Sequence, residues 1–198
     1  MEANVKYRKD EGDLFADPTI YWRLVRSLIY LTTTRPDISY AIHQVSWFMS
    51  SCRHLHFAAI CHIIRYIIGS PTRGLFFPRG SPLQLLAYSD ADWAGCPDTR
   101  QSTTGWCMFL DSAFISWKCK KQDHYVSKSS TEAEYRSMSS TCSEIVWLRS
   151  LLEELGFHNL TLPLFMLIIQ VLFKLLQIPC STNVPNISRL IATISGKP

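Results

Sequence analysis

The chain has 198 residues, 47% hydrophobic and 18% charged, with a formal net charge of +4 and a pI near 8.7. That length holds one ordinary domain or two small ones, and the charge permits nucleic-acid binding without demanding it. Seven cysteines, an odd number with no C-x-x-C pair, argue against a disulfide framework. Met1-Glu2-Ala3-Asn4 has neither the basic nor the apolar region of a signal peptide, so a reduced, intracellular setting is expected, cytoplasm or nucleus. The pairs His54/His56 and Cys61/His62 match no common zinc-finger spacing and are read as buried or surface residues.

The first third reads as helices. Asp17 is an N-cap with Pro18 at the first helical position, where its missing N–H costs nothing. Tyr21, Leu24, Val25, Leu28 and Ile29 then recur at the helical period. Arg35-Pro36-Asp37 breaks that helix and starts another, whose stripe is Ile38, Ala41, Ile42, Val45, Phe48 and Met49. A third helix is expected from about Leu55 to Ile68, with Ala59, Ile63, Tyr66 and Ile67 inward and Gly69-Ser70-Pro71 as its stop.

From Pro82 the pattern changes. Leu83 to Asp90 suits a strand with apolar residues on both faces, hence one buried on both sides. Gly105–Leu110 and Phe114–Trp117 read as a hairpin joined through Asp111-Ser112-Ala113. A long helix follows from about Thr131 to Leu155, one side marked by Met138, Cys142, Ile145, Arg149 and Leu152. Gly156 suits the left-handed residue after it, with Phe157 folding back on the last turn.

Two acidic clusters carry the chemistry: Tyr88-Ser89-Asp90-Ala91-Asp92-Trp93 at a strand's end, and Ser129-Ser130-Thr131-Glu132-Ala133-Glu134-Tyr135 at a helix's start. Asp90 and Glu134 can meet across a sheet–helix interface, as carboxylates must to hold Mg²⁺ ions about 4 Å apart for phosphodiester cleavage. A capping box offers a plainer role for Glu134, through Thr131-x-x-Glu134. Asp92 can simply begin the turn Asp92-Trp93-Ala94-Gly95. Lys118, Lys120 and Lys121, in a loop beside Trp117, suit tracking of phosphates, although a solvated basic turn is the commoner explanation.

Several runs together resemble the Pol polyproteins of copia-type retrotransposons. They are Tyr88 to Gly95, Arg100-Gln101-Ser102-Thr103-Thr104-Gly105, Ile115-Ser116-Trp117-Lys118, Ser129 to Tyr135 and Trp147-Leu148 to Phe157. The front half joins them through Ser27-Leu28-Ile29-Tyr30-Leu31, Thr34-Arg35-Pro36-Asp37-Ile38 and Arg65-Tyr66. The resemblance covers roughly residues 1–165. It implies an α/β chain: residues 1–79 a helical remnant of reverse transcriptase, residues 80–165 an incomplete RNase H-like mixed sheet with a packed long helix. It further implies that Asp90 and Glu134 are the first and second metal carboxylates of an RNase H, with two Mg²⁺ ions as cofactor. The implied substrate is an RNA–DNA hybrid, its RNA strand recognised through 2′-hydroxyls, and no small molecule is expected as substrate. Arg26 stands where the family has glycine, which would push helices apart, and Trp22 and Cys61 stand where arginine is usual.

After Phe165 the family's strand ending in Asp-Asn, its third metal ligand, is missing. Residues 166–176 instead read Met-Leu-Ile-Ile-Gln-Val-Leu-Phe-Lys-Leu-Leu. Codons for that run can be regrouped in another frame to give A-D-N-T-S-A-I-Q-I-A, the string the family requires. Residues 166–198 are therefore expected to be a frameshifted, apolar tail, leaving metal binding doubtful and the copy catalytically inactive. The alternative is a non-catalytic nucleic-acid-binding remnant that uses the three lysines and the N-terminal helices. Leu162–Ile178 is short for a membrane span and contains Gln170, Lys174 and Gln177, so membrane anchoring is not expected. Sequencing the locus beside an intact sibling copy should place a frame change near codons 165–166; in-frame colinearity through residue 198 would refute it.

Overall fold

The computed structural model describes residues 7–80, 84–122 and 126–157. The chain divides into two compact units, one built on residues up to Leu75 together with Cys96–Arg100, the other on Phe76–Gly95 and from Gln101 onward.

The first unit is helical: α1 (Pro18–Leu31), a 3₁₀ turn (Pro36–Ile38), α2 (Ser39–Ser46) and α3 (His54–Ile68). The Asp17 carboxylate caps α1 as expected, accepting from the N–H groups of Thr19 and Ile20 at 3.0 and 3.2 Å. Tyr21, Val25 and Leu28 of α1 bury against Ile38, Ile42, Val45 and Phe48, and against Ala59, Ile60 and Ile63 of α3. Each fully buried aliphatic side chain contributes about 1.5–3 kcal/mol. Inside that core the Tyr21 hydroxyl donates to the Val45 carbonyl at 2.7 Å, so its burial leaves no polar atom orphaned. Ile29, expected inward, is exposed.

Arg35 and Asp37 form a buried, two-bonded ion pair with side chains 5% and 1% exposed. The other guanidinium bonds go to the Ser70 carbonyl and hydroxyl, tying the start of α2 to the end of α3. Tyr66, expected in the core, is partly exposed because its hydroxyl donates to Asp37 at 2.9 Å. Burial alone would raise the Asp37 carboxyl, but the bonds from Arg35 and Tyr66 hold it below its usual value. Arg26 corrects another expectation: it lies on the exposed side of an unbroken α1 and separates no helices. Trp22 donates its indole N–H to the Met49 carbonyl at 2.6 Å.

His56 is fully buried and stacked on Phe48. Its Nδ1 accepts from the Arg53 N–H at the start of α3, and its Nε2 lies 3.0 Å from the Arg8 carbonyl, which fixes the neutral tautomer with the proton on Nε2.

The second unit is an antiparallel sheet of β1 (Leu85–Ala91), β2 (Thr103–Leu110) and β3 (Ala113–Lys121), in that spatial order, followed by α4 (Ser130–Glu154). The expected mixed sheet is corrected here. The described strands are all antiparallel: residues 92–102 connect β1 to β2, and the two residues Asp111 and Ser112, with Asp111 left-handed at φ 55°, connect β2 to β3. β1 is not buried on both sides: Leu85, Ala87 and Ser89 are buried, and Leu86, Tyr88 and Asp90 only half-buried. Leu83 lies outside the described residues, as does the apolar tail.

The packed face of α4 agrees with expectation at Ile145 and Leu152 and differs from it elsewhere. It is Ala133, Ser137, Thr141, Leu148 and Leu152, whereas Cys142 and Arg149 point to solvent. The helix seats Ile145 and Leu148 on Leu85, Ala87, Trp106 and Met108 of the sheet. Its C-terminus is closed by Gly156 at φ 90°, with the Phe157 N–H bonded to the Leu152 carbonyl and the Gly156 N–H to that of Glu153. No described helix is long and apolar enough to cross a membrane.

The buried imidazole makes stability depend on pH. Burial depresses the His56 pKa below its ordinary 6.5. Above pH 6.5 the ring is neutral in both folded and unfolded chain, and its contribution is complete. As pH falls below 6.5, the unfolded chain takes up a proton that the folded chain resists, and stability is lost until pH passes the depressed value. The slope is at most about 1.4 kcal/mol per pH unit. Thermal melts of the full chain between pH 7.5 and pH 5 should show this loss, and His56→Gln should show a shallower one.

Candidate metal centre

Asp90 lies near the C-terminal end of β1, directly across from Gly105 of β2, which faces Cys119 of β3. A Cβ placed on Gly105 would meet only the Asp90 carbonyl, at 4.0 Å, so the sheet is open over the residue beside the carboxylate. Glu134 lies in the second turn of α4, half-buried like Asp90. The two elements are joined within one turn of Glu134, where the Ser137 hydroxyl sits 2.8 Å from the Asp90 carbonyl and 3.4 Å from that of Gly105.

A second clamp holds the same turn. Gln122, buried just past β3, donates to the Ala133 carbonyl at 2.9 Å and to the Thr104 hydroxyl at 3.0 Å. Its side-chain oxygen accepts from Ser127, and its own N–H bonds to the Ser102 carbonyl. Ser137, Gln122 and Ser127 were not singled out from sequence. Uncharged and unpatterned, they gave no signal beyond their proximity to the acidic clusters.

The capping role goes to other residues than expected. Ser129 is the N-cap, accepting from the Glu132 N–H at 3.1 Å, while Glu132 accepts from the Lys128 N–H at 2.8 Å and pairs with Arg136. The Arg136 bond and the Lys128 N–H lower the Glu132 carboxyl. The helix is therefore capped at Ser129 rather than Thr131, and Glu132 folds back to the N–H of the residue before the cap. Asp92 does serve the turn: its carboxylate accepts from the Thr103 N–H, and its own N–H bonds to the Thr103 carbonyl at 3.1 Å. Gly95 is required beside it, since a Cβ there would sit 2.0 Å from Asp92 Oδ2. Burial, and then the Asp92 charge, push the Cys119 thiol up to about 12, so it is an inert sulfhydryl.

Lys118, Lys120 and Lys121 lie in β3, not in a loop. Trp117 to Lys120 alternates apolar and polar residues at period two, the signature of a strand. β3 pairs with β2 alone among the described strands, and lysines on such an edge also discourage pairing with other chains.

Two carboxylates are the hard oxygen donors that Mg²⁺ prefers. Among the described residues, however, no group of three or more His, Cys, Asp or Glu side chains comes together. The pair does not supply the donor set that two ions require.

No protein-family profile and no solved structure matches the chain. Individual proteins do. It is 50% identical over 158 residues to the retrovirus-related Pol polyprotein from transposon RE1 of Arabidopsis thaliana, covering 80% of this chain and 11% of that protein. Its likeness to the polyprotein from transposon RE2 of the same plant is 46% over an equal span, with the same coverage. A short protein of Plasmopara viticola, secreted RxLR effector protein 161, is 40% identical over 129 residues, which cover 65% of this chain and 90% of that one. The chain belongs to the retrovirus-related Pol polyproteins of copia-type retrotransposons. It spans about a tenth of the length of those polyproteins.

The Ser137 clamp sets the helix–sheet distance, and substitution there should be felt in order of size. Ser137→Ala should cost about 1 kcal/mol through the lost hydrogen bond. Ser137→Leu should cost more, about 1–3 kcal/mol of overpacking in addition. Urea unfolding of the full chain measures both.

Proposed function

We propose that the chain is the end of a reverse transcriptase leading into the first part of an RNase H-like domain, and that it does not hydrolyse RNA. By resemblance, the ancestral reaction is Mg²⁺-dependent cleavage of the RNA strand in an RNA–DNA hybrid. The reading is carried by Asp90 and Glu134, presented on a strand and a helix that Ser137 ties together. The same chain argues against turnover, since its last acidic residue is Glu154. Glu144 accepts from Ser116, and Glu153 pairs with Arg149, so these two later acids of α4 are engaged elsewhere. Residues 155–198 contain no Asp or Glu, in keeping with a shifted frame through residues 166–198. With two ligands in place of four, both metal affinity and stabilisation of the developing charge collapse.

A second reading, binding without cleavage, is favoured by the edge strand. Lys118 and Lys120 are both exposed. They lie on one face of β3, about 6.6 Å apart at the strand rise, a spacing that lets two ammonium groups follow one phosphate backbone.

An assay of RNA–DNA hybrid cleavage with Mg²⁺ separates the readings. The full chain should show no cleavage above background, unchanged by Asp90→Asn or Glu134→Gln. Turnover that Asp90→Asn abolishes would overturn the inactive assignment. Salt-sensitive hybrid binding, with a salt slope flattened by Lys118→Ala and Lys120→Ala, would support the second reading.

A further inference from the structure

The charges of the helical unit are segregated. From Pro18 to Ile68 the chain has five arginines, no lysine and one acid, Asp37; from Ile38 to Ser89 it has no acid at all. Asp37 is buried and consumed by Arg35. Arg53 is spent on the segment before α1, bonding to the Lys9 and Gly12 carbonyls and to Asp10. The cations left on the helices are Arg23, Arg26 and Arg65, all exposed.

Arg23 and Arg26 are not scattered. At 100° per residue, Arg23, Arg26, Ser27 and Tyr30 fall within a stripe about 100° wide. It lies on the opposite side of α1 from the buried Tyr21, Val25 and Leu28, and all four residues are exposed. Tyr30 is 79% exposed, more than any other described aromatic residue of the helical unit.

An arginine on a helix surface is commonly a solvated charge balanced by a carboxylate one turn away. α4 shows that arrangement twice, in Arg136 with Glu132 and Arg149 with Glu153. α1 has no carboxylate to offer. Its arginines stay unbalanced, three residues apart and beside an aromatic face.

We propose that this stripe is a binding site for single-stranded nucleic acid, in which Arg23 and Arg26 contact successive phosphates and Tyr30 stacks on an unpaired base. Two guanidiniums about 4.5 Å apart along the axis suit neighbouring phosphates of one strand. A ring standing clear of its own protein suits a base without a partner, because stacking on it needs no sequence-specific bond. A duplex keeps its bases inside, where Tyr30 gains nothing. The site belongs to the helical unit and is separate from Lys118 and Lys120. It rests on the nucleic-acid reading above, and it can fail without that reading failing.

Fluorescence anisotropy of the full chain with labelled oligothymidylate, over a series of salt concentrations, tests it. Tyr30→Ala should weaken binding about 5- to 150-fold with the salt slope unchanged. Arg23→Ala with Arg26→Ala should flatten the slope by about 1.4, and Tyr30→Phe should bind within about twofold of the parent. All the substituted side chains are exposed, so unchanged circular dichroism is expected; Arg23→Gln and Arg26→Gln stand in if an alanine variant unfolds. Variants of α1 that bind like the parent, while Lys118→Ala with Lys120→Ala abolishes binding, would overturn the α1 site and leave the edge-strand reading standing. Binding to phosphatidylserine vesicles but not to the oligonucleotide would overturn it as well. Absence of binding to either would sink both readings.

Discussion

Because Ala133, Ser137 and Thr141 are small, α4 lies close enough to the sheet for the Ser137 hydroxyl to reach the Asp90 carbonyl. A leucine-lined helix would stand farther off and have no such bond. The close approach leaves polar groups in a dry interface: Ser137 bonds to the β1 carbonyl, Thr141 to the Ser137 carbonyl, and Gln122 to Thr104 and Ala133, while the buried Trp106 indole N–H has no hydrogen-bond partner among the described residues. The backbone stretches that carry Asp90 and Glu134 are tied together by these uncharged neighbours. Their placement is a product of helix–sheet packing before it is a product of metal chemistry.

Much of the helical unit was legible in the sequence because its signals are local. Asp17-Pro18, the apolar periodicity and Gly156 each act within a few residues, and the structure places them as read. The first half of the α4 face was missed for a physical reason: apolar character is the guide to burial, and it works for Ile145 and Leu152, yet the close contact nearer the helix start is made by Ala133, Ser137 and Thr141, which bury little apolar area. Tyr66 was misread because its ring is large, while its position is fixed by a hydrogen bond to Asp37 thirty residues away in sequence. The lysines of β3 were taken for a loop although their alternation was visible. At the acidic clusters the residue types were informative, but which acid caps the helix depended on whether Ser129 or Thr131 begins it, a difference of two residues.

The helical unit also explains why a familiar motif can be mostly architecture. Thr34-Arg35-Pro36-Asp37-Ile38 places Pro36 at the first position of the 3₁₀ turn and a paired Arg35 and Asp37 beneath Tyr66 and Ser70. Removing one partner of such a buried pair strands the other charge, at a cost of about 3–5 kcal/mol. Belonging to the Pol polyproteins therefore accounts for these residues through folding alone, with no appeal to nucleic acid. Arg23 and Arg26 of α1 form no ion pair among the described residues that would give them a comparable structural duty.

The turn at Gly156 carries one more implication. The bonds that close α4 run from Gly156 and Phe157 back to Glu153 and Leu152, so the instruction to stop is written entirely in residues of the helix end itself. Whatever is translated next inherits a helix already finished. A change in the sequence downstream would therefore leave this element intact.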